Sequence, residues 1–537
     1  MDGISRRRDG EAAHVAGEAH PRFFSIGNLL LITPLCVLGS VIGMQVLIRL
    51  GVTTNTALIG ALAGMALGRI GLPGFRFYRN IHVQNLAQSA ISASTFGAAN
   101  SLLLPIGVPF ALGRGDLVLP MFVGAACAML LDATLLYWMF GSRVFPAEGA
   151  WPPGVAAAGA IQAGDEGGRK ARVLGIGLGL GIAGSLAGIP MSAFGVAFIA
   201  NAWALLMFGI GLLLRGYFHL IGPLLHLPDI GKTHVPQGLM LGAGLMALLQ
   251  VLWTLFAGRH EKDAAEDGRA EAPLQRALGI GACGYVLIAM LIAGLGGLAS
   301  SMSLWALLGF VVYAAFAALL HELIIGLAAM HSGWFPAFAV AVVTLAVGVL
   351  IGFPAPALAL LVGFSASTGP AFADMGCDLK AGFLLRGEGR DAAFELDGRR
   401  QQYFAAMYAF IIAGIVVLLS YHHYFAHNQV APVDHVFVAA IRAGRSGDIA
   451  RELALWAIPG ALLQAIGGSR RQMGVMFATG MLLVSPLAGW AVLAGLLCRA
   501  AWMRWKGEAG RGDMQIFAAG SIAGDALFSF GRSVLKL

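Results

Sequence analysis

Residues 369–402 read GPAFADMGCDLKAGFLLRGEGRDAAFELDGRRQQ and follow an apolar run that starts near Phe353. Asp374, Asp378 and Lys380 therefore come directly after a stretch suited to a bilayer, and Arg399, Arg400, Gln401 and Gln402 precede the next one. An ionisable side chain inside a membrane costs roughly 2.5–3.5 kcal/mol on insertion scales, so such residues commonly mark a pathway for substrate or ions. At least Asp374 should sit at or below the headgroup level of one membrane face, and the sequence alone leaves equal room for a hydrated loop. On a helix, Asp374 and Asp378, four apart, share a face on which like charges repel, which makes Asp374 a candidate proton carrier. Asp378 and Lys380, two apart, point to different sides and need partners elsewhere, with Arg399 and Gln402 as candidates.

Around this stretch the chain is overwhelmingly apolar. Of its 537 residues 58% are hydrophobic and 12% charged, against about 25% charged in soluble domains. This composition predicts an all-α, polytopic integral membrane protein. At about 20 residues per span, the length accommodates about 14 to 16 transmembrane helices in two halves. The 75 glycines favour close helix packing and broken or re-entrant segments where backbone lines a cavity. The net charge of +7 is spread over short loops, which speaks for membrane orientation and against nucleic acid. Cys36, Cys127, Cys283, Cys377 and Cys498 are isolated and odd in number, so neither a disulfide framework nor a cysteine metal site is implied. No cofactor is called for.

Arg6, Arg7 and Arg8 stand ahead of an apolar run from Phe23 to Ile48, too long for a signal-peptide core, so residues 1–22 read as a cytoplasmic tail before a retained first span. A second span is expected near 52 to 72. Asn80 to Pro109 has the length of a span yet carries Gln84, Asn85, Gln88, Ser89, Ser92, Ser94, Thr95, Asn100 and Ser101. Unpaired polar groups are costly in lipid, so this helix should face a cavity or hydrogen-bond to neighbouring helices. Asp132 lies within the apolar run Leu117 to Phe140 and needs a partner or a proton. FPAEGAWPPGVAAAGAIQAGDEGG, residues 145–168, holds three prolines and Glu148, Asp165 and Glu166, which fits a short helix after the proline pair and not an ordinary span.

His219, His226, Asp229 and His234 precede a glycine-rich span at spacings that match no metal motif, and are read as interfacial. The charged stretch 258–276 divides the chain into halves of similar length, about 23–257 and 277–537. In the second half His321 and Glu322 lie near the end of a span, and within Gly326 to Ala339 the helical run is expected to break at Ser332, Gly333 and Pro336. Interrupted helices in both halves are a transporter signature.

Several of these pieces, in this order, resemble the oligopeptide transporter family, including its yellow stripe-like branch. DLKAGFLLRG at 378–387, closed by RRQQ at 399–402, is similar to that family's DLK-TG-LLG followed by a basic residue and QQ. VPQGLMLGAGLMALLQ at 235–250 resembles P-HG-MIGAG-ALIQ, and NIHVQNLAQSAISAS at 80–94 resembles N-x-x-VQT-x-x-SAG. Residues 145–168 are similar to FPEG-A-AE-L-AG-EGG, and GSIAGDAL at 520–527 to SGLIAGEAL. The chain departs from the pattern at Asn85 (commonly Thr), Ile91 (commonly an acid) and Gln237 (commonly His), in HSGWFPAFA where the family has SSNNPVSG, and in an insert carrying Glu388, Asp391, Glu395 and Asp397.

The resemblance implies a proton-coupled symporter for oligopeptides or peptide-like metal chelates, working by alternating access in a cell membrane, the inner membrane of a bacterium. Substrate would meet Gln84, Asn85, Gln88, Ser89, His331 and Ser332. Asp132, Glu148, Asp374 and Asp378 would carry the coupling proton or a gate, with Lys380 as counter-charge and Gln402 as a gating partner. Protons and the lipid bilayer are the other partners. An enzyme is not expected, since HExxH, GxSxG and paired-acid metal motifs do not occur; a channel is the other rival.

Overall fold

The computed structural model describes residues 20–50, 64–65, 68, 73–166, 168–224, 230, 233, 235–257, 264–333, 337–443, 447–483 and 485–535. Among these, nine helical stretches are long and apolar enough to cross a bilayer, three shorter apolar helices accompany them, and no strand occurs. The protein is thus an all-α, multi-pass membrane protein. Most of the expected second span and nearly all of the amino-terminal tail lie outside the described residues.

Helix α1 spans Ile26–Leu50. Helix α2, Ile81–Phe96, starts where the Asn80 side chain accepts from the His82 amide, satisfying one of the free donors of a first turn. It continues through a π-helical stretch, Gly97–Leu103, into α3, Leu104–Leu112, which ends at Gly113 in the left-handed region (φ 86°). Extra-wide turns of this kind are frequent at functional sites. The polar side chains of α2 are buried between α1, the later helices α14 and α15 and the π-helical stretch.

Helix α4 is Val118–Met139, and α5, Pro152–Glu166, is the short helix expected after the proline pair. Then come α6 (Gly168–Leu186), α7 (Met191–Val196), α8 (Ala202–Leu224), α9 (Val235–Ala257) and α10 (Ala264–Leu295). The charged stretch between the halves is therefore helical from Ala264 onward. Helix α11, Leu304–Ser332, is capped by Ser303 and closed by Gly333 (φ 73°), so it ends at the Ser332 and Gly333 expected to break the run.

Helices α12 (Ala337–Ile351), α13 (Ala355–Ser367), α14 (Pro370–Leu385) and α15 (Ala392–Ala426) follow. The chain finishes with α16 (Pro432–Ala443), α17 (Gly447–Arg471), α18 (Met473–Leu482), α19 (Pro486–Lys506) and α20 (Arg511–Leu535).

Small residues set the closest approaches. Gly177 and Gly181 of α6 face Gly520 and Gly524 of α20, and a Cβ at any of the four would strike a backbone carbonyl of the opposite helix. Without a hydrophobic driving force between helices in lipid, such contacts supply packing energy that larger residues would forfeit. Asp525 of α20 ties this pair to α7, accepting from the Ser185 hydroxyl (2.5 Å) and the Ser192 amide (2.8 Å). Outward-facing Trp305, Leu419 and Leu497 are largely exposed, which suits a lipid-facing surface.

Candidate functional site

The site is organised by the break between α13 and α14. Gly369 takes φ 98°, which favours glycine, and Pro370 opens α14 without an N–H of its own. A helix interruption frees backbone groups that must be satisfied within the protein. The Gly369 amide donates to Asp132 Oδ2 (2.6 Å), and the Thr368 carbonyl lies 2.7 Å from His321 Nδ1. Both side chains are completely buried. The Tyr285 hydroxyl lies 2.6 Å from Asp132 Oδ1 and 2.8 Å from Glu322 Oε2, so α4, α10 and α11 converge on the break.

From the break, α14 carries its acids along α2. The Ser92 hydroxyl donates to Asp374 Oδ1 (2.5 Å) and Gln88 Nε2 donates to Asp378 Oδ1 (2.6 Å). Asn85 Nδ2 in turn donates to Gln88 Oε1 (2.9 Å). The second carboxyl oxygens, Asp374 Oδ2 and Asp378 Oδ2, are buried with no hydrogen-bond partner among the described residues. Neither acid is paired with a lysine, arginine or histidine among the described residues. Both sit inside the bundle, since the break at Gly369 turns the chain so that α14 is covered on nearly every side.

The expected gate partners rearrange. Lys380 donates to the Ala147 carbonyl (2.8 Å) and lies over the Phe383 ring, while Arg399 donates to the Phe140 carbonyl (3.0 Å) and reaches Glu395. Lys380 therefore pairs with neither Arg399 nor Gln402. Gln402 is the junction: its Nε2 donates to the Asp378 carbonyl (2.7 Å) and to the Ser89 hydroxyl (3.0 Å). Its Oε1 accepts from Arg386 Nη1 (2.6 Å), and Arg386 is ion-paired with Glu395 (2.7 Å).

Burial lowers the Arg386 guanidinium from its ordinary range, with the Glu395 bond opposing that. Beside it, His20 packs on His82 and Phe394, and burial, reinforced by the Arg386 charge, lowers its pKa to about 4.

Of the other candidates, Gln84 donates to the Tyr78 carbonyl (3.0 Å) and keeps a buried Oε1 with no partner among the described residues. His331 has a buried Nε2 without a partner among the described residues, and the Ser332 side chain lies outside what is described. Glu148 is exposed in the turn between α4 and α5, which contradicts its expected place as a desolvated carboxyl. Asp132 belongs to the break and makes no bond to Asp374 or Asp378. His219 is exposed beside the Gly216 carbonyl, while His226, Asp229 and His234 lie outside the described residues. No cluster of three metal-ligating side chains occurs among the described residues.

Five residues escape the sequence reading of the site. Arg386 stands inside the quoted DLKAGFLLRG piece but reads there as the end of a motif, and Glu395 reads as part of a solvated insert. His321 and Glu322 show only as polar residues near a span end. Tyr285 is a lone tyrosine in an apolar run and gives no signal.

Fold and site together define a multi-pass membrane protein with an acidic interior that neutral amides and hydroxyls face. A sequence model of the OPT oligopeptide transporter protein family matches residues 230–536, and the chain belongs to that family. No curated protein matches the chain.

Proposed function

We propose that the protein is a proton-coupled symporter of oligopeptides or peptide-like metal chelates that works by alternating access. One observation carries this reading: Asp374 and Asp378 are buried, each turns one oxygen to Ser92 or Gln88, and among the described residues the other oxygen has no partner and no cation compensates either acid. Isolated buried carboxylates are costly, so such a pair takes up a proton or a substrate cation readily. The free oxygens suit a peptide's ammonium group or amide N–H groups. Gln84, Asn85, Gln88 and Ser89, with His331 and Ser332, would supply the remaining hydrogen bonds.

Gln402 and the Arg386–Glu395 pair tie α14 to α15 and to α2, and we assign them to a gate on one side of the acids. Lys380, bonded to the loop that carries Glu148, fits a second tie between α14 and that loop. The halves 23–257 and 277–537 would be the moving parts, in a cell membrane of bacterial inner-membrane type, with residues 1–22 on the cytoplasmic side.

The test is thermal unfolding of the purified protein against di- to pentapeptides and metal chelates, since a ligand that binds only the folded state raises the midpoint. A saturable rise with one ligand class, lost in Asp374→Asn and Asp378→Asn, supports the reading. A rise that both variants retain contradicts it.

A further inference from the structure

The contacts of Tyr285 pose a problem of proton number. A phenol has one hydrogen, and an ionised carboxylate only accepts. Yet the Tyr285 oxygen stands at hydrogen-bond distance from two carboxyl oxygens, Asp132 Oδ1 at 2.6 Å and Glu322 Oε2 at 2.8 Å. Both contacts are bonds only if one carboxyl carries a proton and donates it to the phenol oxygen.

The surroundings decide which one. Asp132 Oδ2 accepts from the Gly369 amide at 2.6 Å, so two donors, the phenol and the amide, stabilise it as an anion. Among the described residues Glu322 bonds only to Tyr285, and its Oε1 is buried without a partner, a setting that suits the neutral acid. The remaining titratable group facing the cluster is His321. Its Nδ1 lies 2.7 Å from the Thr368 carbonyl and its Nε2 lies 2.9 Å from the Ala337 carbonyl, so its ring is turned to the backbone of the break and not to either carboxyl. Neither Asp132 nor Glu322 is ion-paired with a lysine or arginine among the described residues. His321 and Asp132 thus flank the Thr368–Gly369 peptide, and among the described residues Glu322 is the carboxyl left without a second donor.

We propose that Glu322 holds a proton shared through Tyr285 with Asp132, and that this proton decides how firmly the break before α14 is held. When Glu322 ionises, a single phenol hydrogen serves two anions. The Asp132 contacts, including the one to Gly369, then weaken, and the helix bearing Asp374, Asp378 and Lys380 is released at its first residue. The proposal rests on the transporter reading for its purpose, but the proton on Glu322 is observable without any transport.

The test is infrared spectroscopy of the purified protein. Buried glutamates among the described residues are Glu322 and Glu395, and Glu395 is ion-paired with Arg386. Protein labelled with carboxyl-13C glutamate should therefore show a carboxylic-acid C=O band at neutral pH that shifts on labelling, in the wild-type chain and with no variant required. Glu322→Gln should lose that band, and Tyr285→Phe should move it. Hydrogen exchange at one alkaline pH then reads the clamp: peptides covering Gly369 should exchange faster in wild type than in Glu322→Gln, which keeps a neutral side chain.

A glutamate acid band that is absent in the labelled wild type, or that survives in Glu322→Gln, overturns the proposal and leaves the transporter reading intact. Equal exchange at Gly369 in the two chains overturns the link to the break. If the band behaves as expected while peptide uptake ignores a proton gradient, the site stands and the symport reading falls.

Discussion

Gln88 of α2 donates a 2.6 Å hydrogen bond to Asp378 of α14, joining residues 290 positions apart with neither side chain exposed to solvent by more than a trace. The same two helices meet again one turn on, where Ser92 donates to Asp374. Two buried acids, one held by an amide and the other by a hydroxyl, and neither by a cation among the described residues, each have a bonding partner that a substrate can replace.

That relationship gives the first prediction. Gln88→Ala should weaken peptide uptake at least several-fold, because it alters the acid that substrate meets, while unfolding stability falls by about 1–3 kcal/mol, the usual cost of an abandoned buried partner. Asp378→Asn, which can still bond Gln88, should keep its thermal midpoint near the wild-type value and lose uptake. Full uptake in Asp378→Asn would remove the acid from the mechanism.

The gate behaves differently on perturbation. Arg386 and Glu395 are both buried and paired at 2.7 Å, and removing one member of a buried ion pair costs about 3–5 kcal/mol. Glu395→Ala should therefore lower the melting temperature sharply, whereas the double change Glu395→Ala with Arg386→Met should recover part of the loss. A single variant as stable as wild type, measured in detergent by thermal unfolding, would place the pair at a hydrated surface.

How much of this was legible in the sequence depends on what each residue's partner is. Composition and the apolar runs give the all-α membrane class, and the amides of Asn80 to Ser101 identify a helix that avoids lipid. The spacing of Asp374 and Asp378 gives their common face. What they bond does not follow, since Ser92 and Gln88 lie some 280 to 290 positions away and only the packing of α14 on α2 brings them together. Lys380 shows the same limit, because its partner is a backbone carbonyl, Ala147, which any residue type would supply. Glu148 fails for the opposite reason: a proline- and glycine-rich turn leaves it exposed, a matter of local path and not of charge pattern. Asp132 stands out as an acid in an apolar run, but Tyr285 and the freed amide of Gly369 are invisible until the break is seen.

A pH dependence follows from His20. Its folded pKa is lowered to about 4 from an ordinary 6.5, chiefly by burial, so the folded state binds fewer protons than the unfolded state between those values. Its contribution to stability is complete above 6.5 and falls as pH drops from 6.5 toward 4, by at most about 1.4 kcal/mol per unit. Limited proteolysis near Phe23 should accelerate over that interval in wild type and much less in His20→Gln. Equal acceleration in both would assign the acid sensitivity to another group.

The α6–α20 contact offers a purely structural prediction. Gly181→Leu places a side chain against the Ser521 carbonyl, where even a Cβ lacks room, and overpacking typically costs about 1–3 kcal/mol. Helix α20 should separate from α6, with lower expression of folded protein as the readout. Gly179→Leu, on the same helix with open space at its Cβ, should be tolerated. Similar behaviour of the two would refute the close-packed face.

The most direct measurement is proton movement driven by substrate. Protein reconstituted into liposomes with a trapped pH indicator, and given whichever peptide or chelate raises its melting temperature, should acidify the lumen as the substrate enters. The acidification should saturate with substrate and should be lost in Asp374→Asn combined with Asp378→Asn. Saturable substrate entry with no change in lumenal pH, or acidification that the double variant retains, would contradict proton-coupled transport through the α14 acids.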